Sequence, residues 1–304
     1  MHNIVTSSVL LLGLGLPFVA IANSQPDILT VVYTAEQLEA WAANPVTPVE
    51  VRAPISLGSA DFVVTTNCRF STTDAADLTG SGDFVLTAAE LDLGGDVSAD
   101  EVRLSASDAI VIRKSARIES EQRTHILGPG ALDLRGTVSA TDIEIFVGSA
   151  KLRSSASLNA NGNLNIDGGV LLDVNADLRP LGTLNLNGDS AILRSQCVIS
   201  PEYMFIDIAG HLDFRADIRD CDEVEIHAGS LIVRQIAQLQ GGYDLYIDIE
   251  GNFAHHGDIF AWYDISIAAA TYRLYRTHEL QSLFECEISG VPDPKSLPAT
   301  GCNE

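Results

Sequence analysis

Aromatic rings are scarce in this chain. They make up 6% of its 304 residues, against 46% hydrophobic residues in all, so a core here must be filled by Val, Ile, Leu and Ala. Basic side chains are also few: 18 Lys and Arg against 41 Asp and Glu leave a formal net charge of -23. That balance excludes the electrostatics of a nucleic-acid binder, and it repels anionic membranes and polyanions at long range. No CxxC pair, Cys/His zinc spacing, Gly-x-Ser-x-Gly, P-loop or dinucleotide fingerprint occurs. EF-hand and nonapeptide calcium loops are missing too, so no cofactor is expected beyond calcium held diffusely by the acidic surface.

Only one long apolar run exists, "VLLLGLGLPFVAIA", and Ala20-Ile21-Ala22 follows the small-x-small pattern of a cleavage site. Residues 1–22 are therefore expected to be a signal peptide, although residues 1–8 hold no Lys or Arg. The mature chain is expected to be secreted, periplasmic or on the cell surface, without membrane insertion. Cys286 and Cys302 bracket the tail "CEISGVPDPKSLPATGC", and a bridge there would stabilise by roughly 3 kcal/mol in the chain-entropy view. Cys68, Cys197 and Cys221 remain, an odd number, so at least one is expected as a free, buried thiol.

What the chain has in abundance is repetition. Val97, Ile118, Val138, Leu158, Leu178, Ile199, Ile218, Leu239 and Ile259 open similar units spaced about twenty residues apart. Each unit continues with alternating apolar pairs such as Leu164/Ile166, Val224/Ile226 and Leu231/Val233, separated by Gly, Ala, Ser, Asn and Asp. Those are period-2 strands joined by tight turns. A unit this short cannot bury its own inner face, but stacked on copies of itself it can, each strand pairing in parallel with its counterpart at ~4.8 Å. The expectation is an all-β, single-stranded parallel β-helix of about ten coils, a rod on the order of 45–50 Å long. A β-sandwich would not keep so constant a period.

Residues 23–77 read as an N-terminal cap and entry strands. In "YTAEQLEAWAANP", Thr34 and Gln37 form a capping box, Leu38, Trp41 and Ala42 share a face, and Pro45 ends a helix over 34–43. Repeats fill 78–279, and 280–304 is the C-terminal cap and tail.

The stretch "SATDIEIFVGSAKLRSSASLNANGNLNIDGG" resembles the right-handed β-helix repeats of exported bacterial adhesins of the filamentous haemagglutinin type. The helical lid ahead of the strands is similar to the start of pectate-lyase-like β-helix proteins. These resemblances imply a right-handed solenoid and an adhesin-like or envelope-associated role. Coil-like repetition is also similar to the bactofilin scaffold, which is cytoplasmic and uncapped, whereas this chain carries an export signal.

In such a fold, outward residues stack into files, and two files carry chemistry. Arg113, Arg135, Arg153, Arg194, Arg215, Arg234 and Arg276 fall on one edge, with His255 and His256 in the late coil between. Either they form a strip for an acidic glycan, in which Arg194, Arg215 and Arg234 bind ligand, or they pair with neighbouring acids. The second file gathers Asp142, Asn163, Glu202, Tyr203, Asp222, Glu223, Tyr243, Asp244, Trp262, Tyr263 and Asp264. Its rings could stack on sugars, which makes Tyr203, Tyr243, Trp262 and Tyr263 candidate polysaccharide contacts. Asp222, Glu223, Asp244 and Asp264 are the acid/base candidates if the protein is instead a polysaccharide lyase or glycoside hydrolase. Stacked carboxylates at ~5 and ~9–10 Å fall near the glycosidase separations, as they would in any acidic file. "RDCDE", residues 219–223, reads as a solvated polar corner, and the histidines as structural.

Overall fold

In the computed structural model, residues 28–275 and 279–296 are described. The expected signal peptide lies outside the described residues, as do Arg276 and Cys302. Among the described residues no helix is long and apolar enough to cross a membrane.

Among the described residues 27 strands join one continuous sheet in which the coil-to-coil pairings are parallel. The chain is a parallel β-solenoid of about 13 turns, on the order of 60 Å long at ~4.8 Å per coil. The nine opening aliphatics are registered partners of one another and are essentially sealed from solvent. The file runs further at both ends, from Ile55 and Leu78 to Leu280. The expected count of ten was therefore low. Ile55 and Leu78 are partners across an unusually long coil, which kept the turns ahead of Leu78 out of a constant period. The tail likewise stays in the solenoid: Glu279–Ser282 and Cys286–Pro292 pair in register with the coil before.

Each coil has three faces. In one coil the opening face is Thr137–Ala140, and Asp142–Leu152 supplies the second face, around Ile143 to Val147, and the third, around Ala150 to Leu152. Inward Val, Ile, Leu and Ala from all three faces fill the axis, as the alternation requires. At the N-terminal end the helix α1 (Ala35–Ala42) lies against the first strand, Thr30–Val32, and against Ile55–Gly58. Leu38 and Trp41 are buried, Ala42 partly so, and Trp41 Nε1 donates to the Thr47 carbonyl over 3.0 Å. Thr34 caps the helix by accepting from Gln37 N. The returning Gln37 side chain accepts from Tyr33 N, one residue ahead of the expected partner. The lid closes the open end of the sheet stack.

The repeat unit is two coils, not one. After the third face, Arg113, Arg153, Arg194 and Arg234 each begin a tight turn closed by the N–H of Ala116, Ala156, Cys197 and Ala237 at 2.8–3.0 Å. In the coils between, Arg135, Asn175, Arg215 and His256 lead into the next coil without that turn. Turn and no-turn coils alternate along the rod.

Candidate functional site

The arginine edge is built on this alternation. Asp92, Asp133, Asp173 and Asp213 sit on the third face in the coils without the tight turn, one stacking position ahead of the arginines. Asp133 accepts from Arg135 of its own coil and from Arg153 of the next, at 2.7 and 2.8 Å. Asp213 is held in the same way by Arg215 and Arg234, at 2.5 and 2.8 Å. Asp173 accepts from Arg194, with Lys151 Nζ 3.8 Å away, and Asp92 from Arg69 and Arg113. Hydrogen bonds from Arg153 and Arg135 hold the Asp133 carboxyl well below the ordinary range. Burial alone would raise Asp213, and the bonds from Arg234 and Arg215 outweigh it. Arg194, Arg215 and Arg234 are thus committed to internal carboxylates, with about 40% of each side chain exposed: 41%, 39% and 43%. His256 takes the arginine position in the late coil, and His255 points into the core.

The mixed acidic and aromatic file separates into two. Tyr203, Glu223 and Asp244 are registered partners, with Asp264 one coil further. Asp244 Oδ1 accepts the backbone N–H of Asp264 at 3.3 Å, and Asp264 Oδ1 accepts that of Glu285 at 3.2 Å. Asp142 does the same for Asn163, and Asn163 for Thr183. The recurring bond satisfies a donor at the corner ahead of the second face. Asp244 and Asp264 are therefore parts of a backbone-capping ladder, a role that spacing alone could not reveal.

The neighbouring file holds Glu202, Asp222, Tyr243 and Tyr263. Here the solenoid is irregular. The strand Asp217–Val233 slips register against Gln238–His255 three times, twice in close succession here, between Ile218 and Cys221 and between Cys221 and Glu223, and once more between Ala228 and Leu231. Asp220 in this stretch has φ +53°, the single non-glycine residue with positive φ among the described residues. A bulge of this kind re-aims side chains. Gly242 fits beneath it because a Cβ there would lie 2.9 Å from the Cys221 carbonyl oxygen. "RDCDE" is accordingly not a uniformly solvated corner. Arg219 pairs with Asp217, Cys221 is buried inside, and Asp220 and Asp222 turn to the surface.

The result is a shallow cavity of about 550 Å³ lined by Asp220, Asp222, Gln240, Gly242, Tyr243, Trp262 and Tyr263. The three rings are 45–53% exposed. Tyr263 is stacked between Tyr243, at 5.3 Å, and Phe284, at 4.8 Å, so its faces are taken. Trp262 lies outside that stack, edge-on to Phe260 at 5.5 Å, and is the ring best able to offer a face. Four other surface hollows, of about 390, 440, 420 and 320 Å³, are lined without a single ring. No protein-family model, curated protein or solved structure matches the chain.

Of the residues singled out from sequence, the structure brings Asp222, Tyr243, Trp262 and Tyr263 to one cavity. It leaves Tyr203, Glu223, Asp244 and Asp264 out of its lining. Asp220 was missed. Its signal, an Asp in a polar run that keeps the strand from running straight, is visible only once the register is known. No group of three or more His, Cys, Asp or Glu side chains among the described residues is placed to hold a metal ion. His125 is nearly buried between Glu144, 3.0 Å from Nδ1, and Glu101, 3.2 Å from Nε2, as a cross-coil bridge.

Proposed function

We propose that this chain is an exported, adhesin-like or envelope-associated binding module that recognises a polysaccharide at the cavity of its late coils. One observation carries the reading: three half-exposed rings and two carboxylates gather beside a stretch where two register shifts follow one another and Asp220 takes a positive φ. Sugars present apolar C–H faces to rings and hydroxyls to carboxylates and amides, and Trp262, Asp222 and Gln240 supply those partners. The solenoid holds them rigidly, so little ordering opposes binding. The proposed bridge from Cys286 to Cys302 would tie the far end in an oxidising compartment.

Catalysis is the second reading, favoured by Asp220 and Asp222 lining the same cavity. Asp244 and Asp264 support it less, because their carboxylates already accept backbone N–H groups. A glycan array followed by a reducing-end release assay separates the readings. Retention lost in Trp262→Ala, without product, supports the module. Product that disappears in Asp222→Asn supports the enzyme, and no retention of any glycan overturns both.

A further inference from the structure

We infer that the cavity selects amino sugars bearing a free ammonium group, such as glucosamine-rich oligosaccharides, over neutral or uronic-acid sugars. The inference rests on the polysaccharide reading and adds to it the charge of the ligand. Two carboxylates, Asp220 and Asp222, line the hollow, and no Lys, Arg or His does. Arg219, the basic residue next in sequence, is occupied by Asp217. The arginines of the edge that could have welcomed an anionic glycan are already engaged by internal aspartates. Over the whole chain, acidic groups exceed basic ones by 23, so a uronic-acid polymer meets repulsion before it reaches the rings.

A free ammonium finds three matched features here. Trp262 presents a ring face with negative π density to a cation, Asp222 and Asp220 supply opposite charge, and the Gln240 amide remains for a hydroxyl. N-Acetylation removes the charge while leaving the apolar face of the sugar ring. The acetylated oligomer therefore tests ring stacking and hydroxyl contacts, and the free amine adds the charge pairing with the carboxylates. Asn tolerates the left-handed backbone that Asp220 adopts, so Asp220→Asn leaves the turn intact.

The experiment is a calorimetric titration of the full chain with hexamers of glucosamine, N-acetylglucosamine and galacturonic acid. It is run at about 20 mM and about 300 mM salt. Glucosamine hexamer is expected to bind about tenfold or more tighter than the acetylated hexamer at low salt, with a smaller ratio at high salt. The Asp220→Asn/Asp222→Asn pair should bring the ratio close to one by weakening glucosamine binding far more than acetylated binding, and Trp262→Ala should remove both. A preference that survives the double variant is diffuse attraction to the acidic surface and overturns the inference. Equal binding of the two hexamers by the unaltered protein also overturns it, leaving the polysaccharide reading in place. Binding of no hexamer at all overturns that reading as well.

Discussion

Nε of Arg234 donates to Oδ1 of Asp213 over 2.8 Å, from one coil back to the coil before it. Arg215 approaches the same carboxylate from its own coil, so a single side chain, 8% exposed, is clamped by two guanidinium groups. The motif recurs at Asp133 and with one arginine at Asp173, and it ends where Ala254 occupies the corresponding position. It is a ladder that ties coils in pairs.

Asp213→Asn is expected to cost about 2 kcal/mol at neutral pH. That is below the value for fully buried pairs because both arginines remain partly in water. The native carboxyl titrates below its unfolded counterpart, which lies near ~3.9. Its contribution is therefore complete above the unfolded value and lost as pH falls through the native one. Urea melts of the two proteins should differ most at neutral pH, with the gap beginning to narrow near pH 4 and continuing to close as pH falls toward the native value. A gap that is constant across that range would mean the clamp stabilises through packing rather than charge.

Replacing Arg194, Arg215 and Arg234 together by Gln should lower the melting temperature and leave retention on a polyanion column unchanged. The guanidinium groups face internal carboxylates, and their removal exposes Asp173 and Asp213 as uncompensated negative charge. Weaker retention at an unchanged melting temperature would restore the arginine edge as a ligand strip.

The solenoid could be read from the chain because one period places one aliphatic, such as Val138 or Leu158, at the same inward position in every coil. Core burial acts on every copy alike, and so it leaves a periodic trace. The clamp left a trace at twice that period, and an alignment on single coils averages Asp133 with Lys151 and Asp173 with Ile192. The cavity left none. It exists because the period fails between Ile218 and Glu223, and a departure from repetition is legible only against known register. The rings Tyr243, Trp262 and Tyr263 were visible as residues, but their separation from Tyr203 depends on which of two adjacent files each joins.

Asp244→Asn should be close to neutral for stability, and Asp244→Leu should cost about 1 kcal/mol. An amide oxygen can accept the Asp264 N–H as well as a carboxylate does, and Asn163 already plays that part for Thr183. Thermal melts decide this. If turnover on some glycan were found and Asp244→Asn abolished it at unchanged stability, the capping role would not be the residue's main one.

Cys197 and Cys221 are expected to resist a disulfide-exchange reagent in the native protein, whereas Cys68, partly exposed, reacts. Both buried thiols face carbonyls: Cys197 Sγ donates to Ala176 O at 2.7 Å, and Cys221 Sγ lies 3.2 Å from Glu223 O. Burial pushes Cys221 up to about 12, and Cys197 higher still, so the reactive thiolate is rare at pH 8. Peptide mapping after labelling at pH 8 should find Cys68 modified first and the other two only on denaturation. Labelling of Cys221 at the rate of Cys68 would mean that the double register shift beside the cavity opens in the native state. The cavity would then be a mobile feature, and the rigid arrangement of Asp220, Asp222 and Trp262 on which ligand selection depends would fail with it.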